Sequence, residues 1–183
     1  VKTGQTQARS PLSERTPDHF LTLGISLEPS AKTVFSDPAH FFAFGFGSGL
    51  ATFAPGTFGT LAAVPLYLLM APLSLPIYLV VVVLSFIFGV WVCGKAGADL
   101  GVHDHGGIVW DEFVGLWITM IAAPAGWEGV VVGFLLFRLF DIWKPWPIGW
   151  ADRQVSGGLG VMLDDVIAGI FALLVLQLIA AAV

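Results

Sequence analysis

The chain has 183 residues, of which 56% are hydrophobic and 11% charged, with a formal net charge of −5. A soluble domain carries about a quarter charged residues, so this chain cannot cover a globular surface with polar groups and reads as an integral membrane protein. The charge is unevenly divided: residues 1–38 hold four basic and four acidic residues, whereas the remainder sets nine acids against Lys95, Arg138, Lys144 and Arg153. An acidic excess within an apolar chain is the reverse of a nucleic-acid footprint and suits a cation site instead.

Residues 1–38 are rich in Ser, Thr, Pro and charge, without an apolar period, which predicts a flexible tail outside the membrane. No signal peptide is expected to be removed, because no basic stretch leads into an apolar run with a small-residue cleavage site. Residues 40–53 are apolar but broken by Gly45, Gly47 and Gly49, a density that disfavours a long helix and predicts an interfacial or re-entrant element. Residues 58–71 form the first span candidate, of about 21–24 Å, short for a hydrocarbon core near 30 Å. A tight turn at residues 72–76 leads to the clearest span, residues 77–94. Residues 95–107 read as a polar, Gly-rich loop and residues 108–123 as the third span candidate. Residues 129–140 form a fourth apolar run, residues 145–160 a second polar loop, and residues 161–183 the last span. Cys93 stands alone in an apolar run and reads as a small buried hydrophobe.

The fold class expected is therefore all-α, a polytopic bundle of four to five spans occupying residues 39–183. With five spans, residues 39–57, 95–107 and 141–165 share one side. The opposite loops, residues 72–76 and 124–128, carry no Lys or Arg, so the side of the tail is the cytoplasmic one. Trp110, Trp143, Trp146 and Trp150 crowd that boundary, where amphipathic rings prefer to lie. Four spans would scatter the acids to opposite sides.

Two acidic pairs, Asp111-Glu112 and Asp164-Asp165, each stand at a predicted helix start. Acids there can cap backbone N–H groups and favour the helix dipole, but neighbours at i and i+1 point about 100° apart, and only one of them can cap. Converging carboxylates repel one another, a problem that a hard divalent cation such as Mg²⁺ removes. Arg138, Asp141 and Lys144 follow at i, i+3 and i+6. They read either as an interfacial ion pair with snorkelling cations or as a metal ligand flanked by phosphate-binding cations, with Arg153 a further candidate clamp. His103, Asp104 and His105 lie in a Gly-flanked polar loop, either merely solvated or supplying a general acid or base. Gly45-Phe-Gly-Ser-Gly49 could cradle a phosphate or allow close packing. No thiol-phosphatase motif and no P-loop occurs.

The strings Gly45-Phe-Gly-Ser-Gly-Leu, Pro55-Gly-Thr-Phe-Gly-Thr, Gly101-Val-His-Asp-His-Gly, Ile108-Val-Trp-Asp-Glu-Phe, Phe137-Arg-Leu-Phe-Asp-Ile-Trp-Lys-Pro-Trp-Pro-Ile and Gly157-Gly-Leu-Gly-Val-Met-Leu-Asp-Asp occur in this order. On them the chain resembles the bacterial phosphatidylglycerophosphatase A family, Mg²⁺-dependent lipid phosphatases of the inner membrane, over residues 39–175. The longer tail before residue 39 departs from that pattern. The resemblance implies hydrolysis of the phosphomonoester of phosphatidylglycerophosphate to phosphatidylglycerol and phosphate, by a multi-pass protein of the bacterial inner membrane whose site faces the cytoplasm. Mg²⁺ would then be held among Asp111, Glu112, Asp141, Asp164 and Asp165, with Lys144, Arg138 and Arg153 on the phosphate. Asp111, Glu112, His103, Asp104 and His105 would be the candidates for proton transfer or attack. The competing reading is a non-enzymatic cation transporter, which would place its acids near the bilayer midplane. The sequence specifies no oligomeric state.

Overall fold

Proline, glycine and short polar side chains set where the helices begin and end. Residues 29–102 and 105–182 are described by the structure, a computed structural model. Helix α1 (Ala31–Ser36) starts where Ser30 accepts a hydrogen bond from the Thr33 amide at 3.1 Å. Helix α2 (Pro38–Ala43) starts where Asp37 accepts from the Ala39 amide at 2.7 Å, with Pro38 in the first turn. A 3₁₀ segment (Gly45–Leu50) follows. Helices α3 (Pro55–Met70) and α4 (Leu75–Leu100) each carry a proline in the first turn, where its missing N–H costs nothing. Helix α4 stops at Gly101, whose φ of 70° ends it in the left-handed region. Helices α5 (Trp110–Thr119), α6 (Trp127–Trp143), α7 (Ile148–Gln154) and α8 (Gly157–Ala182) complete the chain. No strand occurs among the described residues, so the all-α expectation holds.

Helices α4 and α8, 26 residues each, are long and apolar enough to cross a membrane. At 1.5 Å per residue they reach about 39 Å, α3 and α6 about 24–26 Å, and α5 only about 15 Å. The third span candidate, residues 108–123, is thus corrected: α5 covers ten of those residues and is sheathed by α8, α3, α4 and α6. All but one of its residues are buried. Buried backbone carbonyls need partners, and here side chains supply them. Tyr78 Oη donates to the Trp117 carbonyl at 2.7 Å. Gln177 Nε2 donates to the carbonyls of Ile121 and Ala122, both at 2.9 Å. The Trp117 carbonyl belongs to the last turn of α5, which lacks intrahelical partners, and the other two belong to the turn that follows it.

Three further expectations change. Residues 95–100 extend α4 instead of opening a loop, because Lys95 and Asp99 stand one turn apart and pair. Within residues 145–160, α7 forms and α8 begins at Gly157. Its glycines serve a crossing, since a Cβ on Gly158 would meet Gly94 N at 2.7 Å and Gly94 Cα at 2.9 Å. Trp110 is buried, donating from Nε1 to the Ser85 carbonyl at 3.1 Å, whereas Trp143, Trp146 and Trp150 are exposed as expected of a boundary belt. The helical structure also begins at Ala31, with Val34 buried, ahead of the residue-38 boundary expected for the tail; residues 1–28 lie outside the described part.

Candidate active site

The site is set by one close helix crossing. On α5 and α8, Gly115 and Gly169 meet so tightly that a Cβ on Gly169 would lie 2.5 Å from the Gly115 carbonyl oxygen. Residues four apart share a helix face, so one turn from this contact stand Asp111 on α5 and Asp165 on α8. Small residues at the crossing thereby bring two acidic pairs together that lie more than fifty residues apart in sequence.

Asp111, Glu112 and Asp165 each offer an oxygen within 4.8 Å of the others, and so do Asp141, Asp164 and Asp165. Asp165 belongs to both groups and is 2% exposed; Glu112 is 9% exposed. Neither pair caps its helix. The N-cap of α5 is Val109, without a side-chain cap, and α8 starts seven residues before Asp164. Helix capping therefore does not explain these acids.

Two cations face the five carboxylates. Arg138 pairs with Asp141, one turn away on α6, lies 3.8 Å from Glu112, and donates from Nη1 to Thr60 Oγ1 at 3.5 Å. Lys144, where α6 ends in a left-handed turn, donates to Asp152 on α7 at 2.7 Å and to Asp164 at 2.6 Å. Burial works against the charge of Lys144, but its hydrogen bonds to Asp152 and Asp164 outweigh that and hold its pKa above the ordinary lysine range.

Whether a divalent cation fits can be judged from the donor set. It is all oxygen, as Mg²⁺ prefers. Two of its atoms, Glu112 Oε2 and Asp165 Oδ2, are buried without a hydrogen-bond partner, an arrangement that is costly for a carboxylate alone. The residues present fit such an ion.

A sequence model of the family described as Phosphatidylglycerophosphatase A matches residues 41–180. Phosphatidylglycerophosphatase A of Escherichia coli is 52% identical over 138 residues, covering 75% of this chain and 80% of that protein. The chain belongs to the phosphatidylglycerophosphatase A family. Its Haemophilus influenzae relative, also described as phosphatidylglycerophosphatase A, is 47% identical over 149 residues, covering 80% of this chain and 91% of that protein. No solved structure matches the chain.

Of the site residues expected from sequence, the structure of this phosphatidylglycerophosphatase A family member brings together Asp111, Glu112, Asp141, Asp164, Asp165, Arg138 and Lys144. It does not bring in Arg153, which is exposed on α7 and makes no ion pair among the described residues. His105 accepts a hydrogen bond from the Gly107 amide on Nδ1 at 3.0 Å and holds the loop before α5. His103 and Asp104 lie outside the described residues. The Gly45 to Gly49 segment is used in packing: a Cβ on Gly45 would meet Phe113 at 2.7 Å and Val109 at 2.8 Å.

Sequence reasoning missed the roles of Thr60 and Gly56, which it held only within the Pro55-Gly-Thr-Phe-Gly-Thr string. It also missed a second polar group, in which Lys95 joins Asp37 at 3.0 Å and Asp99, while His40 Nε2 meets Asp99 at 3.0 Å. The ammonium of Lys95 already serves both carboxylates, so this network ties α1 and α2 to α4. The hydrogen bond from Lys95 holds the Asp37 carboxyl below its usual range.

Proposed function

We propose that the acidic cluster is the site at which this chain hydrolyses a lipid phosphomonoester. The chain is a lipid phosphatase of phosphatidylglycerol synthesis, by the identity of its relatives, and its substrate on this reading is phosphatidylglycerophosphate. The observation that carries the assignment of the site is the convergence of five buried or half-buried carboxylates on two cations at one end of the bundle.

Asp111, Glu112, Asp141, Asp164 and Asp165 would hold Mg²⁺, which supplies Lewis-acid withdrawal of charge from the phosphoryl oxygens. The other roles belong to the chain itself. Arg138 keeps one buried donor, Nε–H, without a partner, and that donor is available to a phosphoryl oxygen. Lys144 orders Asp164 and adds positive charge beside the phosphoryl oxygens, where negative charge gathers in the transition state. Glu112 would offer one carboxylate oxygen to the ion and the other to the proton of an attacking water. The water oxygen bonds to phosphorus, the P–O ester bond breaks, and the ester oxygen takes the proton held on Glu112 and departs as the hydroxyl of phosphatidylglycerol. A transient aspartyl phosphate is the alternative route, and trapping one would exclude direct attack by water.

A multi-pass arrangement with this site facing the cytoplasm is supported by the basic residues. Lys95, Arg138, Lys144 and Arg153 all lie toward the site end of α4, α6 and α7, as a positive-inside protein requires. The acids sit at that end too, which disfavours a midplane transport path. The deciding assay is phosphate release by the purified protein from phosphatidylglycerophosphate, with Mg²⁺ and with chelator. Release that is lost on chelation and restored by Mg²⁺ is expected; release indifferent to both would remove the metal from the mechanism.

A further inference from the structure

We infer that the crevice between α3 and α6 holds an acyl chain of the lipid substrate, an assignment that rests on the acidic cluster being the phosphatase site. Gly56, Thr60, Val64, Leu68 and Ala71 recur at helical spacing and form one stripe along α3. Arg138, Val131 and Trp127 form the facing stripe along α6. At the polar end the helices touch: Arg138 bonds Thr60, and a Cβ on Gly56 would lie 3.1 Å from Arg138 Nη1. Beyond Thr60 they part around a cavity of about 600 Å³, lined by Val64, Leu68 and Ala71 on one side and Trp127, Val130 and Val131 on the other, with Pro124, Ala125 and Gly126 of the turn before α6 at its far end. That volume is within the range of sites that enclose small ligands, about 300–1,000 Å³.

Three features select the occupant. No charged side chain lines the cavity, and Leu68, Trp127 and Val131 are exposed, so it opens sideways from the bundle. It begins at Val64, one helical turn or about 5.4 Å beyond Thr60, and runs along α3 to Ala71 about 10 Å further. It therefore continues the seam that carries Arg138, and a lipid with its phosphate among the acids has an apolar path for its tail there. Two other cavities among the described residues do not follow this seam. One, lined by Gly45, Phe46, Ala62 and Leu66, lies against the 3₁₀ segment. Another, lined by Leu176, Ile179 and Ala180 of α8, carries the Glu128 carboxylate in its wall.

The test uses the full-length protein in detergent with long-chain phosphatidylglycerophosphate bearing a diazirine in mid-chain. Cross-links should map to residues 61–71 and 127–135 and be competed by unlabelled phosphatidylglycerophosphate. They should fall at least about tenfold in Val131→Trp, which fills the cavity, and stay unchanged in Leu84→Trp on the exposed face of α4. In Val131→Trp, kcat/KM for the long-chain substrate should drop about tenfold relative to that for its deacylated, water-soluble counterpart. Labelling spread evenly over α4 and α8, or competed equally by a lipid without the phosphate, overturns the assignment. Groove-confined labelling without any phosphate release would uphold the groove and overturn the phosphatase reading of the site.

Discussion

Asp165→Asn separates stability from function at the centre of the cluster. Asp165 is almost fully buried and contributes an oxygen to both carboxylate groups, each spanning no more than 4.8 Å. Two unit charges at that distance repel by about 3.5 kcal/mol at an effective dielectric of about 20. Arg138 and Lys144 offset part of this, which leaves a net relief of about 2 kcal/mol when one charge is replaced by an isosteric amide. In a chain of this size that raises the unfolding midpoint by roughly 4–8 °C. The assay is thermal unfolding in detergent with chelator, repeated with Mg²⁺. The wild type should gain about 2.7 kcal/mol from Mg²⁺ at a hundredfold excess over its Kd, whereas Asp165→Asn should start higher, gain little and lose turnover. A variant that is less stable in chelator, yet keeps both the Mg²⁺-dependent gain and turnover, would refute the charge argument and the metal assignment together.

Other substitutions test neighbouring parts of the account. In Gly56→Ala the new Cβ collides with the Glu112 carboxylate and crowds Arg138 at 3.1 Å; because both are side-chain ends, the protein should fold while kcat falls at least about tenfold, and an unchanged kcat would place the chemistry elsewhere. Gln177→Leu removes two hydrogen bonds from the turn after α5 and should cost about 2 kcal/mol in a detergent melt, with KM unaltered. Asp37 has its pKa lowered in the folded chain by Lys95. Its stabilising contribution is therefore complete above its unfolded value of about 3.9 and is lost as pH falls through the lower folded value. For so exposed a pair this is less than about 1 kcal/mol, and Asp37→Asn should flatten the acid limb of the Tm-against-pH curve below about pH 4.

Much of the site was legible because its residues are out of place in an apolar chain. Asp111-Glu112 and Asp164-Asp165 stand out where charge is costly, and Arg138 and Asp141 follow a helical period that survives in α6 up to its left-handed end at Lys144. Thr60 and Gly56 were visible only within the Pro55-Gly-Thr-Phe-Gly-Thr string: by chemistry a Thr and a Gly in an apolar helix are commonplace, and the neighbouring α6 gives them a role. Gln177 was equally silent, since the carbonyls it serves belong to a turn fifty-five residues earlier. The error over α5 has a plain cause. Hydropathy reports how apolar a segment is but not what covers it, and residues 108–123 are apolar because protein surrounds α5 on all sides.

Composition and period alone determined that this chain is helical and more apolar than a soluble domain, because the apolar period and the small share of charge leave few alternatives. Tertiary structure decided which acids meet. The contact of Gly115 with Gly169 sets the rotation and depth of α8 against α5 and so puts Asp165 beside Asp111 and Glu112. Carboxylate spacing depends on how closely two backbones approach, and in this chain that is settled by side chains that are missing.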